Sequence, residues 1–172
     1  MMVSRLGVQP SRAKIEVVAK LARANTVEEV RSLLGMSSYL RKFVRGYSSL
    51  VAPISDLLRD KRFASKRVRR LPVPWGAEQD KALKAPIEFL TTPPILALPN
   101  WEATFRLHTD ASELGAGAAL TQDTRRKERV IGYASHHWSN ADAKRSATER
   151  EVMSVLWAIP HYRPYLWGAN SF

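Results

Sequence analysis

At Thr104 the sequence changes its period, and that change decides the class of fold open to it. In "TFRLHTD", Phe105, Leu107 and Thr109 alternate with Arg106, His108 and Asp110, the period of a strand with one buried face. Gly117–Gln122 and Arg129–Ser135 read as two further strands, joined through "ASELGA" and a charged turn at Asp123–Glu128. Three short strands with tight connections predict an antiparallel meander. A helix should follow. Ser146 with Glu149 three residues later makes a capping box, and Val152, Val155, Leu156 and Ile159 are its expected apolar stripe. Pro160 and Pro164 are expected to disturb that helix and Gly168 to end it.

Upstream of Thr104 the period is helical. "SRAKIEVVAKLAR" places Ile15, Val18, Ala19 and Ala22 on one face. In "NTVEEVRSLLGMSSYLRKFVRGY", Thr26 and Glu29 form a capping box, and Val30, Leu33, Leu34, Ser37, Leu40 and Val44 form a stripe. "VAPISDLLRD" reads as a short helix opened by Pro53. The Lys/Arg-rich "KRFASKRVRRLPVPWG" has no periodicity and reads as a linker. "AEQDKALKAPIEFL" is helical in composition with a kink or break expected at Pro86, and "TTPPILALPNWEA" is extended. The expected class is therefore α+β: a small basic helical module over residues 1–60, a basic linker over 61–74, and a strand-rich unit with a helix over 75–172.

Charge separates the same halves. The net charge of +11 lies wholly in residues 1–75, and residues 76–172 are neutral. A basic surface suits phosphate backbones, and Arg31, Arg41, Lys42, Arg45, Lys66, Arg67, Arg69 and Arg70 are the candidate nucleic-acid contacts. The alternative is a solvated basic surface. The 172 residues contain no cysteine, which excludes a disulfide framework and thiolate metal sites and fits an intracellular setting. No apolar run approaches the ~20 residues of a membrane span, so no membrane partner is expected.

Two carboxylates carry the candidate chemistry. Asp110 ends the first strand of the meander, and Glu151 lies in the first turns of the following helix, beside its expected stripe. If the helix packs on the sheet, the two hard oxygen ligands would suit Mg²⁺. Small residues after Asp110 (Ala111, Ser112, Gly115, Gly117) would let a substrate backbone come close. Glu149 lies about 200° around the helix from Glu151 and is explained by the capping box. Simpler accounts stay open: Asp110 as a turn-initiating residue, Glu151 as helix surface near the N-terminal dipole. His108, His136, His137 and His161 lack ligand spacing, "GAG" lacks the frame of a phosphate loop, and Ser112 has no relay for nucleophilic catalysis.

"LHTDASELGAGAALTQ", "VIGYAS" and "SATEREVMSVLWAIPHYRPYLWG" together resemble the RNase H region of gypsy-type LTR retrotransposon Pol polyproteins. "TVEEVRSLLGMSSYLRKFVRGYSSLVAPISDLL" resembles the reverse transcriptase thumb and its connection to RNase H, and "PPILALPNWEATF" the lead-in to the first RNase H strand. The resemblance runs from about Val3 to Gly168, with its motifs in order. It implies a partial RNase H-like domain over 75–172 and hydrolysis of RNA in RNA–DNA hybrids, with Asp110 and Glu151 as metal-binding catalytic residues of a two-Mg²⁺ site. The implied partners are an RNA–DNA hybrid or other nucleic acid and the rest of the Pol polyprotein.

Departures from the family pattern limit the expectation. No two aspartates are adjacent, so the polymerase palm's pair is missing, and no Asp or Glu follows Glu151, so the family's later carboxylates are missing too. Pro86 and Pro160 interrupt helices that the family keeps continuous, and the basic linker is longer than usual. The chain by itself is expected to be inactive, as a fragment of the reverse transcriptase/RNase H polyprotein. The alternatives are a non-catalytic nucleic-acid-binding module and a degenerate retroelement-derived protein.

Overall fold

A computed structural model describes residues 2–4, 7–20, 23–59, 63, 68–90, 96–124 and 127–167. The chain is α+β. A hairpin of β1 (Met2–Ser4) and β2 (Gly7–Gln9) leads into helices α1 (Arg12–Ala19) and α2 (Val27–Ser37), a 3-10 turn (Ser38–Phe43), and short helices α3 (Tyr47–Leu50) and α4 (Ala52–Asp56). Helix α5 (Ala77–Glu88) follows, then strands β3 (Phe105–Ala111), β4 (Gly115–Thr124) and β5 (Lys127–His137), and helix α6 (Ala147–Leu166). The three strands form the expected antiparallel meander in the order β3-β4-β5. They run longer than the alternation suggested, so the charged stretch at 123–128 is mostly strand, with the tip at 125–126 outside the described residues. The hairpin β1–β2 was not visible as a pattern.

Local chemistry explains the helix starts. Thr26 accepts from the Glu29 N–H at 3.3 Å, but the Glu29 carboxylate reaches back to the Asn25 N–H at 2.7 Å, one residue before the expected partner. The donors of Val27 and Glu28 are taken by Leu71 and Arg69 carbonyls, so the later part of the basic linker closes the N-terminus of α2. The helix then tightens to a 3-10 turn at Ser38 instead of continuing, which still buries Leu40, Phe43 and Val44.

One expectation about α6 is overturned. Val152, Val155, Leu156 and Ile159 are exposed, and the face against the sheet is Ser154, Ala158, Tyr162 and Leu166. Ser154 and Ala158 are fully buried because small side chains let the helix approach β4, whose inner positions Ala116 and Ala118 are also small. Close approach outweighs the greater hydrophobicity of the other stripe. The prolines do not break the helices either. Pro160 and Pro164 lie on the exposed side of α6, where the carbonyls they leave unpaired meet water, and Pro86 sits in the last turn of α5. Gly168 lies outside the described residues.

The two faces of the sheet are covered differently. On one, Phe105, Ala118, Leu120, Ile131 and Ala134 pack under α6, and the Tyr162 hydroxyl donates to the Gly132 carbonyl at 2.9 Å. On the other, Val130 and Tyr133 of β5 join Leu40, Phe43, Val44, Tyr47 and Val51 from the helices. There Ser48 gives both its N–H and its hydroxyl to the buried Ser135 hydroxyl, each at 2.9 Å.

Candidate nucleic-acid and metal site

Asp110 is the penultimate residue of β3, and the way the hairpin closes sets its surroundings. Ser112 N–H donates to the Gly115 carbonyl at 2.9 Å, so this pair is hydrogen-bonded and the next, Ala111 with Gly117's neighbour Ala116, is not. By alternation, Asp110, His108 and Arg106 exchange backbone bonds with β4, while the N–H and C=O of Ala111, Thr109, Leu107 and Phe105 point to the outer edge. Glu151 uses that geometry: its Oε1 accepts from the Ala111 N–H at 3.3 Å. Helix α6 runs antiparallel to β3, and Glu151 lies on the same helical line as Ala158 and Tyr165, seven residues apart, so it turns to the sheet.

The two carboxylates reach the strand end from different sides. Asp110 lines a cleft of about 360 Å³ on the face away from α6, with Arg45, Gly46, Ser49, His108, Gly117, Thr121 and Glu128 around it. Glu151 comes over from the α6 side and touches backbone, not the Asp110 side chain. Among the described residues, no group of three or more His, Cys, Asp or Glu side chains is placed to hold a metal ion. Two carboxylates at a strand end fit Mg²⁺ in kind, as hard oxygens, but supply only part of a six-ligand shell.

The cleft has its own ordered polar wall, which sequence reasoning missed. His108 Nε2 lies 2.8 Å from Glu128 Oε1 and 3.1 Å from the Thr121 hydroxyl, and Thr121 donates to Glu128 at 2.7 Å. These bonds, Thr121 first and His108 second, hold the Glu128 carboxyl below its usual range. On the opposite wall Arg45 stands exposed beside Gly46, whose φ of 66° is the left-handed turn that aims the chain from the 3-10 segment into α3. The sequence signal for this turn was "RG" at the end of a helical stripe.

The other candidate cations are spread out and partly engaged. Arg31 donates to the Phe63 carbonyl at 2.8 Å, and Arg41 donates to Ser48 and lies over the Tyr47 ring. Lys42 lies over Phe43, 5.1 Å from the ring centre, and burial lowers its pKa. Arg69 is 3.7 Å from Glu28, and Arg70 is exposed. Lys66 and Arg67 lie outside the described residues. Of the six among the described residues, only Arg45 shares the cleft with Asp110.

Several residues in the motif-like stretches have structural duties. Gln122, 2% exposed, accepts from Asn100 N–H and donates to the Asn100 and Ala103 carbonyls, pinning the lead-in loop to β4. Ser112 closes the β3–β4 turn, and Trp138 donates its indole N–H to the Ser112 carbonyl at 3.0 Å. Glu149 accepts from Ser146 N–H at 2.9 Å and returns its own N–H to the Ser146 hydroxyl, a complete capping box. His136 and His161 each stack on Trp157, and burial, then Arg41, keeps both imidazoles below their usual range.

Comparison with known proteins places this geometry. Residues 75–172 match the RNase H-like domain found in reverse transcriptase. The chain is 28% identical over 167 residues to the retrovirus-related Pol polyprotein from transposon opus of Drosophila melanogaster, covering 96% of this chain and 17% of that protein. It is 29% identical over 172 residues to the corresponding polyprotein from transposon gypsy of the same organism, covering 98% of this chain and 16% of that one. The chain thus spans less than a fifth of the length of these relatives. Among solved structures, the foamy viral protease-reverse transcriptase in complex with RNA/DNA hybrid matches with a TM-score of 0.76 at 18% identity, over 95% of this chain and 21% of that one.

Proposed function

We propose, since the chain belongs to the RNase H-like domain family of reverse transcriptases and is a distant homologue of gypsy-type Pol polyproteins, that it is a segment of a retroelement polyprotein whose β3 end forms part of an RNA–DNA hybrid hydrolysis site. The observation that carries this reading is the Glu151–Ala111 bond, which brings the helix carboxylate to the backbone beside Asp110. Asp110 and Glu151 would hold Mg²⁺, which when bound supplies charge for the attacking water and leaving oxygen. Glu151 is held in place by the Ala111 N–H, and Arg45 supplies a cation across the cleft for a phosphate. With no group of three His, Cys, Asp or Glu side chains placed to hold an ion among the described residues, the segment alone binds Mg²⁺ weakly and does not cut efficiently. Polymerisation belongs to other parts of the polyprotein, because this chain has no paired aspartates.

The test is an amide NMR titration with Mg²⁺ alone, followed by hybrid binding at two salt concentrations. Shifts should centre on Asp110, Ala111 and Glu151 and vanish in Asp110→Asn and Glu151→Gln. Mg²⁺ shifts centred on Glu149 would refute the site assignment. The incomplete ligand set favours a second reading, a nucleic-acid-binding module without catalysis. It gains if hybrid affinity falls steeply with salt while Mg²⁺ leaves the β3 end unmoved. Hybrid cleavage by the purified chain, abolished in Asp110→Asn, would overturn the expected inactivity.

A further inference from the structure

Arg59 follows α4 and reaches from the N-terminal helices to the end of β5. Its guanidinium forks there. Nη1 donates to Asn140 Oδ1 at 2.9 Å and Nη2 donates to the Trp138 carbonyl. The same Nη2 lies 3.4 Å from His137 Nδ1. On the helical side Nε lies 3.0 Å from Asp56 Oδ1 of α4, which keeps the fork aimed. A planar group with five donors suits such a fan of acceptors, and a lysine could take only part of it.

What Arg59 grips is the residue that closes the Asp110 hairpin. Trp138 is 2% exposed. Its carbonyl accepts from Arg59, its N–H donates to the Leu114 carbonyl at 3.1 Å, and its indole N–H donates to the Ser112 carbonyl at 3.0 Å. One polar group of Trp138 thus faces the N-terminal helices and two face the β3–β4 turn. The outer side of that turn is loosely packed: Leu114 is half exposed and borders a cleft of about 430 Å³ shared with Ala52, Pro53 and Leu57. A turn beside open space depends on its hydrogen bonds more than on packing. Its inner side has no slack, because a Cβ on Gly115 would collide with the His136 carbonyl. A shift at the end of β5 therefore passes directly to the turn. Ser112 adjoins Ala111, whose N–H seats Glu151, and lies two residues from Asp110.

From these contacts we infer that Arg59 is a positioning residue for the β3 end, coupling the N-terminal helices to Asp110 and to the seat of Glu151 through Trp138 and Ser112. The functional side of this inference rests on the Mg²⁺ reading of those two carboxylates. Arg59 acts on them only through the turn. A second tie between the helices and the sheet, from Ser48 to the Ser135 hydroxyl, ends on β5 three residues before Trp138.

Hydrogen exchange and amide NMR of the full chain in EDTA, followed by titration with MgCl₂, test it. In Arg59→Ala the indole and backbone N–H of Trp138 and the Ser112 N–H should exchange about tenfold faster or more, as the loss of a charged hydrogen bond implies. The Ala111 amide should shift, while the Arg106 and His108 amides keep their rates. Arg59→Lys should behave alike, because it keeps the charge without the fork. Trp138→Phe removes the indole donor and should move Ala111 in the same way. Adding Arg59→Ala to Trp138→Phe should then change Ala111 little further, since the two act in series. Ser48→Ala should leave the Ala111 and Trp138 signals in place. Arg59→Ala, Arg59→Lys and Trp138→Phe should each weaken the Mg²⁺ response of Asp110 and Glu151 several-fold. Uniformly faster exchange in Arg59→Ala, full rescue by lysine, additive shifts in the double variant, or an Mg²⁺ response equal in Arg59→Ala and a responsive wild type overturns the inference. A wild type whose β3 end ignores Mg²⁺ overturns the metal reading, and exchange in EDTA still decides whether Arg59 positions the turn.

Discussion

Gly115 and Gly117 stand two residues apart in the same "GAG", and the structure gives them opposite sensitivities. A Cβ on Gly115 would lie 2.1 Å from the His136 carbonyl oxygen, 3.1 Å from its carbon and 3.3 Å from the His137 Cα. All three are backbone atoms, so no rotamer change relieves the contact and β5 must retreat by roughly 1 Å. That end of β5 also holds the hairpin closed, through Trp138 N–H to the Leu114 carbonyl at 3.1 Å and the indole N–H to Ser112 at 3.0 Å. Overpacking of about 1–3 kcal/mol plus about 1 kcal/mol for a weakened hydrogen bond gives roughly 2–4 kcal/mol for Gly115→Ala. For a chain of this size that lowers the melting temperature by roughly 5–15 °C. At Gly117 the nearest atom to a new Cβ is the Asp110 carbonyl oxygen at 4.0 Å, an ordinary contact. Gly117→Ala should stay within about 0.5 kcal/mol of wild type, while narrowing the cleft beside Asp110. Thermal melts followed by far-UV circular dichroism, with urea titrations for the free energies, measure both. Equal melting of Gly115→Ala and wild type, or an equal loss at both glycines, would refute the steric assignment.

Other expectations follow from single contacts. Glu149→Ala should lower the melting temperature while Glu149→Gln should not, because Gln can still accept from the Ser146 N–H; a loss in both would show that charge, not the capping bond, matters. Tyr162→Phe should cost about 1–2 kcal/mol by urea denaturation, since its buried hydroxyl bonds the Gly132 carbonyl; an unchanged midpoint would mean that the carbonyl finds another donor. Asp142 and Glu128 are both held below the usual carboxylate range, chiefly by Ser139 and Thr121 respectively. The unfolded chain therefore binds more protons in acid, and their stabilisation is present above about pH 4.5 and lost as pH falls through the lowered values; melts at pH 5 and 3 that coincide would contradict this. Trp157 stacks with both His136 and His161, so its fluorescence should change with an apparent midpoint below about pH 6.5, and a midpoint above that would mean that burial does not control these imidazoles.

What was legible in the sequence was whatever a short window decides. The alternation from Phe105 to Asp110 fixed a strand because period two needs only local residues, and Ser146 with Glu149 fixed a helix start because both halves of the box lie within one turn. The side of α6 that meets the sheet was not decided locally. Val152, Val155, Leu156 and Ile159 form the more hydrophobic stripe, yet Ser154 and Ala158 are buried because β4 offers alanines at Ala116 and Ala118. That choice depends on the shape of a partner forty residues away. The same holds for Pro160, whose cost depends on whether its freed carbonyl faces water.

The candidate site divides along the same line. Asp110 and Glu151 could be named from a strand end, a helix and a family resemblance, but not the contact that relates them, because it runs through the Ala111 N–H. That N–H is free to receive Glu151 only because Ser112 and Gly115 form the hydrogen-bonded pair that closes the hairpin, which sends the donors of Phe105, Leu107, Thr109 and Ala111 outward. One register choice in a two-residue turn thus gives Glu151 its seat beside Asp110. Shifting the turn by one residue would turn the Ala111 donor into the ladder and take the seat from Glu151, which ties the candidate site to the Ser112–Gly115 bond.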